Sequence, residues 1–351
     1  MPQSPHPAQP VRPVQRLPFV PRVALGSASM DDERISVTEL TTERLPEVVA
    51  LCRRGLDLAE DAAEAEAIVD TVYGRARLDR PVVGLLAVRG RKPVGVLVCS
   101  VPGRPDAAYG CVDLVVVVPE ERRRGVARAL LAHAERWLAE RGAREVLLAG
   151  NPPYYAWPGI DVRYTPAVCA ALALGYRQDR TAWNMTADLS YDDSPALRST
   201  VEAERRLATA GVTVRRAEPA DLPALTAFAR DTFGGAWDGE LLGSVGRAGA
   251  GCHAAWRDGV VVGFAAWGSS RPSWFGPMGT DPAAAGSGIG GVLLRRCLRD
   301  QRDAGIEHAQ IGWVGPVPFY SGSAGARIER VFLLYRKDID PDRPQTGQGP
   351  E

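Results

Sequence analysis

The sequence predicts an α/β protein built from two tandem copies of one unit. Three observations carry this. The 351 residues exceed one ordinary core, for which roughly 150 residues is the usual extent. Strand and helix patterns recur in the same order in both halves. Sliding one half over the other by about 163 positions superposes Pro119 on Pro282, Gly125 on Gly288, Ala127 on Gly290, Leu130 and Leu131 on Leu293 and Leu294, and Gly142 on Gly305, without a gap.

The elements follow in order. "ISVTEL" from Ile35 reads as a strand, and "TTERLPEVVALCRRGLDLAED" as a helix whose apolar residues recur at helical spacing after a capping Thr. "VVGLLAVRG" and "KPVGVLVCSVPG" form a hairpin across the turn "RGRKP". "CVDLVVVVP" is a nearly unbroken apolar run, as a strand buried on both faces requires. A helix then runs from about Gly125 to Arg141 and stops at Gly142, before the strand "EVLLAG", an aromatic loop and a last helix ending at "LGY". The second half repeats this order with "VTVRRAEPADLPALTAFARDTF", the hairpin "CHAAWRDGVVVGFAAWG", "WFGPMGT", a glycine-rich helix start, "HAQIGWVG" and "RVFLLYRK".

The expected boundaries are a proline-rich disordered lead at 1–34, domains at 35–190 and 211–337, a linker helix at 191–210 and a disordered tail at 338–351. Hydrophobic residues make up 45% and charged residues 24%, enough for sizeable cores. The 42 Lys and Arg balance 42 Asp and Glu, so no global field recruits nucleic acid or an anionic membrane. No apolar run approaches the roughly 18 residues a membrane span needs. The six cysteines (Cys52, Cys99, Cys111, Cys169, Cys252 and Cys297) are scattered without CxxC spacing. They predict reduced thiols in a cytoplasmic protein, with no metal site or disulfide framework.

The repeated feature is a buried strand that runs through a proline into a loop, where small residues two apart open a long helix. Small residues allow close approach, and the first helical N–H groups have no partner within the helix. With the helix dipole behind them they form a site for a phosphate or pyrophosphate. The first copy, "ERRRGVARALL", adds arginines suited to charge-assisted bonds, whereas the second, "AAAGSGIGGVLL", has none. Gly286, Gly288 and Gly291 also spell G-x-G-x-x-G. That fingerprint belongs after the first strand of a βαβ unit, with an acidic residue about 20 positions on, and neither condition holds here.

The pattern Arg/Gln-x-x-Gly-x-Gly/Ala, between a proline-bearing strand and a long helix, resembles the acyl-CoA pyrophosphate loop of the GCN5-related N-acetyltransferases. Arg122, Gly125 and Ala127 match it fully, while Gly288 and Gly290 match it with Ala285 in the Arg/Gln position. The resemblance covers about residues 35–190 and 211–337 and includes the element order. Tandem members exist in this family, among them mycothiol synthase, and commonly one half is catalytic and the other degenerate or supporting.

The resemblance implies in each half a mixed, mostly antiparallel central sheet flanked by helices, with acetyl-CoA in a V-shaped opening between the fourth and fifth strands. The expected cofactor contacts in the first half are Val116, Val117, Val118, Arg122, Arg123, Arg124, Gly125, Val126 and Ala127. In the second they are Met278, Gly279, Thr280, Gly286, Ser287, Gly288, Ile289 and Gly290. The acceptor amine attacks the thioester directly, which needs a base for the amine and an acid for the leaving thiolate.

Tyr320, in "PFYSGSAGA", stands where the family often carries its acid, and Ala171 occupies that place in the first copy. Asp113, at the start of the fourth strand, is the expected base. Tyr154, Tyr155, Trp157, Asp161 and Trp313, in the loops after the fifth strands, are expected to line the acceptor pocket or to pack between the halves. The balance of losses leans towards chemistry in the C-terminal half. The expected activity is acetyl transfer to a small-molecule amine, with no nucleic acid or membrane partner, by a monomer or homodimer. The competing expectations are a peptide or protein N-acetyltransferase and a non-catalytic CoA-binding regulator.

Overall fold

A computed structural model describes residues 34–104 and 107–340. The expected disordered lead and tail fall outside these residues apart from their inner ends. The first half supplies β1 (Ile35–Glu39), α1 (Leu45–Gly55), α2 (Ala59–Ala63), α3 (Ala65–Val69), β2 (Val82–Arg89), β3 (Lys92–Ser100), β4 (Tyr109–Val117) and α4 (Val126–Ala139). It continues through β5 (Glu145–Leu148), the short β6 (Ile160–Asp161), α5 (Thr165–Ala173) and β7 (Arg177–Asp188). Next come α6 (Val201–Thr209), β8 (Val212–Arg216), α7 (Leu222–Phe233), α8 (Trp237–Leu242), β9 (Gly251–Arg257), β10 (Val260–Trp267), β11 (Trp274–Thr280), α9 (Ile289–Asp303), β12 (His308–Ile311), α10 (Val317–Ala324) and β13 (Arg327–Asp338).

The expected element order stands in both halves. The short helices α2, α3 and α8 and the two-residue β6, which is too short to carry a periodicity, are additions to it. β1 to β4 and β8 to β11 each form an antiparallel meander. The parallel pairs, β4 with β5 and β11 with β12, are short. Tyr109–Cys111 pair with Glu145–Leu147, and Trp274 and Phe275 with Gln310 and Ile311. Beyond these residues the strands separate, which opens a V in each half.

The halves are not independent sheets. Strand order is β1-β2-β3-β4-β5-β13-β7-β12-β11-β10-β9-β8, one continuous sheet in which each half's last strand lies against the other half's fifth. β13 pairs with β5 through Tyr335–Asp338, and β7 with β12 through Met185–Asp188. Period-two patterning identifies a strand without naming its neighbour, so the exchange has no signature in the sequence. Burial follows the exchange. Tyr335 joins the core of the first half, and Met185, Ala187 and Leu189 join that of the second. The segment expected as a linker holds α6, which buries Leu207 in the second core and bonds Glu204 to Arg296 of α9.

Candidate active site

Both repeated loops fold alike. Each leaves its strand through a short 3-10 turn, Pro119–Glu121 or Pro282–Ala284, and enters its helix from a left-handed glycine. In the first loop Arg123 and Gly125 have φ of 61° and 83°, and in the second Gly286 and Gly288 have 77° and 93°. Left-handed residues alternating with ordinary ones turn successive N–H groups toward one point, the geometry of an anion nest. Both loops deliver that nest to a helix N-terminus.

The first loop opens on a pocket of about 660 Å³, within the range of small-molecule sites. Val115–Val117 of β4, Arg122, Arg123, the residues 125–128 and one face of α5 from Thr165 to Ala173 bound it. Of the expected contacts, Val116, Val117, Arg122, Arg123, Gly125, Val126 and Ala127 line it. Val118 does not: it is wholly buried, and its N–H bonds to Val94. Arg124 turns to Glu121, 3.5 Å away. Arg122 braces the wall, its guanidinium donating to both oxygens of Asp57, to the Gly55 carbonyl and to the Val117 carbonyl at 2.8–3.1 Å. Exposed Arg123 and Arg128 are the cations of the mouth. Arg128, in the first helical turn, lies at a position that helix spacing from Gly125 marks.

At its deep end the pocket shares Leu56, Val115, Leu148, Ile160, Tyr164 and Ala167 with an inner cavity of about 110 Å³ at the crotch of the V. Asp113 lines this cavity and is 8% exposed. Val98 pairs with Leu114 and Cys99 with Val112, so Asp113 is the extra residue of a β-bulge, a device that re-aims a side chain. Ser100 Oγ donates to Asp113 Oδ2 at 2.6 Å and accepts from Asn151 Nδ2 at 2.8 Å. Arg80 holds the Asn151 and Pro152 carbonyls. Asp113 Oδ1 has no partner. Burial pushes the carboxyl up to about 8, against the opposing pull of the Ser100 hydrogen bond and the Arg80 charge.

Trp157 and Asp161 also line the inner cavity. Asp161, expected to meet substrate, spends its carboxylate on Arg163 and on buried Arg330 of β13, whose Nε lies 2.7 Å away. Arg330 also grips Asp61 with two bonds of 2.8 and 2.7 Å, Arg271 pairs with Asp61 at 2.8 Å, and Tyr164 donates to it at 3.0 Å. Arginines of the second half thus fix two walls of the first half's cavity. Asp61 and Arg330 are 269 positions apart, beyond the reach of motif spacing.

The other aromatic candidates lie elsewhere. Tyr154 stacks under Arg80, its ring centre 5.1 Å from the guanidinium. Tyr155 is buried edge-on to Trp274 and Trp313 at 5.8 and 5.7 Å and bonds Glu240, so these rings pack between the halves. Of the two packing alternatives, Tyr155 and Trp313 take the interface.

The second copy is filled by side chains. At the crotch of its V, a Cβ on Gly312 would lie 2.1 Å from the Trp274 ring, and one on Gly279 would lie 2.5 Å from Phe233. Met278 and Phe319 close over Gly290, at 3.0 and 3.4 Å from its Cβ position. Thr280 pairs with Gly263, Ser287 Oγ is turned back to Ala284, and Ile289 is core. Where the first copy bulges at Asp113, the second has Gly276–Pro277, with no carboxylate. Tyr320 is 8% exposed against Phe275 and Phe319, and burial pushes its phenol up to about 12. Tyr320 and Asp113 therefore belong to different halves and do not meet in one site.

Among the described residues no group of three or more His, Cys, Asp or Glu is placed to hold a metal, and no helix is long and apolar enough to cross a membrane. Residues 50–156 match the acetyltransferase (GNAT) family. The chain is 35% identical over 215 residues to the mycothiol acetyltransferase of Thermomonospora curvata, covering 58% of this chain and 64% of that protein. It also resembles in fold the GCN5-related glucosamine N-acetyltransferase region of a fungal multi-domain GH3 β-N-acetylglucosaminidase, with TM-score 0.68, 18% identity, and coverage of 87% of this chain and 38% of that one. A tandem GNAT protein from the clavulanic acid biosynthesis pathway gives a TM-score of 0.63 at 17% identity, covering 88% of this chain and all of that one.

Proposed function

We propose that this chain, whose residues 50–156 match the GNAT acetyltransferase family and whose two halves share the fold of a tandem GNAT protein, is an acetyl-CoA-dependent N-acetyltransferase acting on a small-molecule amine in its first half. The observation that carries this reading is the continuous lining from the loop nest, along β4, to Asp113. The relative named as a mycothiol acetyltransferase supports a small acceptor. The lean towards chemistry in the second half gives way here, because aromatic side chains fill that V.

The residues of the first half suit an acyl-CoA. Loop N–H groups and the N-terminus of α4 would donate to the pyrophosphate, Arg123 and Arg128 would add charge at the mouth, and the apolar flank of β4 suits the pantetheine arm. The acyl donor supplies a thioester whose carbonyl carbon takes the amine. Asp113, as carboxylate, takes one proton from the amine nitrogen as the C–N bond forms and the C–S bond breaks. The departing thiolate needs one proton, and the protonated Asp113 carries it. The first copy therefore works without a tyrosine where Ala171 stands. A carboxyl poised near 8 suits both roles.

The test compares two variants. Asp113→Asn should lower kcat by about 10²–10⁴-fold with acetyl-CoA affinity unchanged, and Tyr320→Phe should leave kcat within about twofold. The reverse pattern places the chemistry in the second half.

A further inference from the structure

Trp157, Asp161 and Tyr164, which line the inner cavity, are all tied to arginines contributed by the second half. Asp161 accepts from Arg330 Nε at 2.7 Å. Tyr164 donates to Asp61, which in turn takes two bonds from Arg330, at 2.8 and 2.7 Å, and pairs with Arg271 at 2.8 Å. The Trp157 ring centre lies 5.6 Å from the Arg271 guanidinium. Asp61, Arg271 and Arg330 are themselves buried. Arg271 stands between β10 and β11, and Arg330 on the exchanged strand β13, whose Phe332 and Leu333 also pair with Asp161 and Ile160 of β6.

The residue type matters at position 330. A guanidinium reaches Asp61 through both terminal nitrogens and Asp161 through Nε, whereas a lysine brings one compact ammonium without that fork. Each carboxylate of the set has an arginine partner, Glu64 with Arg271 and Asp161 with Arg163 included, so the set offers a ligand no spare charge. Its effect lies in where the cavity wall stands, and a misplacement of about 1 Å can cost about 10²-fold in rate. Resting on the acyl-transfer reading above, we infer that Arg330 is a positioning residue for the reaction in the first half. The second half serves that reaction by locking, through Arg330 and Arg271, the wall made by Trp157, Asp161 and Tyr164.

The experiment follows thiol release from acetyl-CoA by the full-length protein with ethanolamine, glucosamine, phenethylamine or lysine as acceptor, in the wild type, Arg330→Lys, Tyr164→Phe and Arg296→Lys. Calorimetry gives acetyl-CoA affinity and the fraction of molecules able to bind it, so rates refer to competent molecules. Arg330→Lys should lower kcat/KM for the amine by at least about tenfold, with acetyl-CoA affinity within about twofold of wild type. Tyr164→Phe, which removes a hydroxyl and leaves every ion pair, should lower it by about two- to tenfold. Arg296→Lys is the control: its bonds to Glu204 lie within the second half, and kcat/KM should stay within about twofold. A loss confined to the competent fraction, with kcat and the amine KM of competent Arg330→Lys unchanged, marks a merely structural role and overturns the inference, as does an equal loss in Arg296→Lys. If Arg330→Lys does not fold, Tyr164→Phe decides, and an unchanged kcat/KM there overturns it. Wild-type protein that binds no acetyl-CoA, or binds it and acetylates none of the four amines, overturns the parent reading and the inference with it.

Discussion

Arg123 and Gly286 occupy the same left-handed backbone position in the two loops, with φ of 61° and 77°. Glycine adopts this region without strain, whereas an L-residue pays roughly 1–2 kcal/mol. Replacing Arg123 by Gly should relieve that strain and lose about 0.5–1 kcal/mol to added chain entropy. The expected net gain is about 0–1.5 kcal/mol, read by denaturant unfolding at unchanged slope. A loss of stability would mean that the Arg123 side chain is itself held in place. Arginine persisting at a strained position fits a group kept for the ligand.

The pH response should separate two kinds of buried carboxyl. Burial pushes Asp113 and Glu240 up to about 8, above their unfolded values, so the stability tied to their protonated forms is full below about pH 4. It is lost as pH rises through about 8. Asp61 runs oppositely: burial disfavours its charge, but Arg271 and Arg330 outweigh burial and hold it low, so its contribution is lost only on acidification. Asp113→Asn should reduce the alkaline arm of the stability profile to the part carried by Glu240 and leave the acid arm intact. In the active protein, kcat/KM should rise through an apparent pKa near 8, a limb that Asp113→Asn lacks.

The network around Asp61 predicts a large single-site effect. Arg330→Met leaves Asp61 and Asp161 buried with fewer partners, and breaking such a set costs about 3–5 kcal/mol. Equilibrium unfolding should show this loss. Replacing Asp61, Asp161 and Arg330 together by apolar residues of similar volume should recover much of it.

The exchanged strands predict that neither half folds alone. Residues 34–198 would lack β13, which covers β5 and sends Lys337 to Glu135 of α4 at 2.8 Å. They would also expose the edge of β7 that β12 covers. Such a fragment should show dispersed amide resonances only when the second half is supplied. A well-dispersed spectrum from the fragment alone would contradict this.

What the sequence disclosed and what it withheld divide along a physical line. The loops were legible because glycine and proline mark backbone geometry locally, and the match of Gly125 with Gly288 located both nests. Asp113 was legible as a carboxylate on a buried strand, but its aim depends on a bulge that only pairing with β3 creates. Arg122 looked like a phosphate ligand because its type and place suit one, and the carboxylate that claims it, Asp57, lies 65 positions away. The filling of the second V by Trp274 had no local sign, since Gly312 reads as an ordinary loop glycine until the ring beside it is seen.

The central claim, that acyl-CoA is held by the first half, is tested most directly by titrating acetyl-CoA into Gly125→Val and Gly288→Val. Both substitutions strain a left-handed residue with open space at its Cβ, so their structural costs are matched. Gly125→Val should weaken binding by at least about tenfold while Gly288→Val leaves it unchanged, because a side chain at Gly125 enters the pocket mouth. Loss of binding in Gly288→Val with retention in Gly125→Val would contradict it.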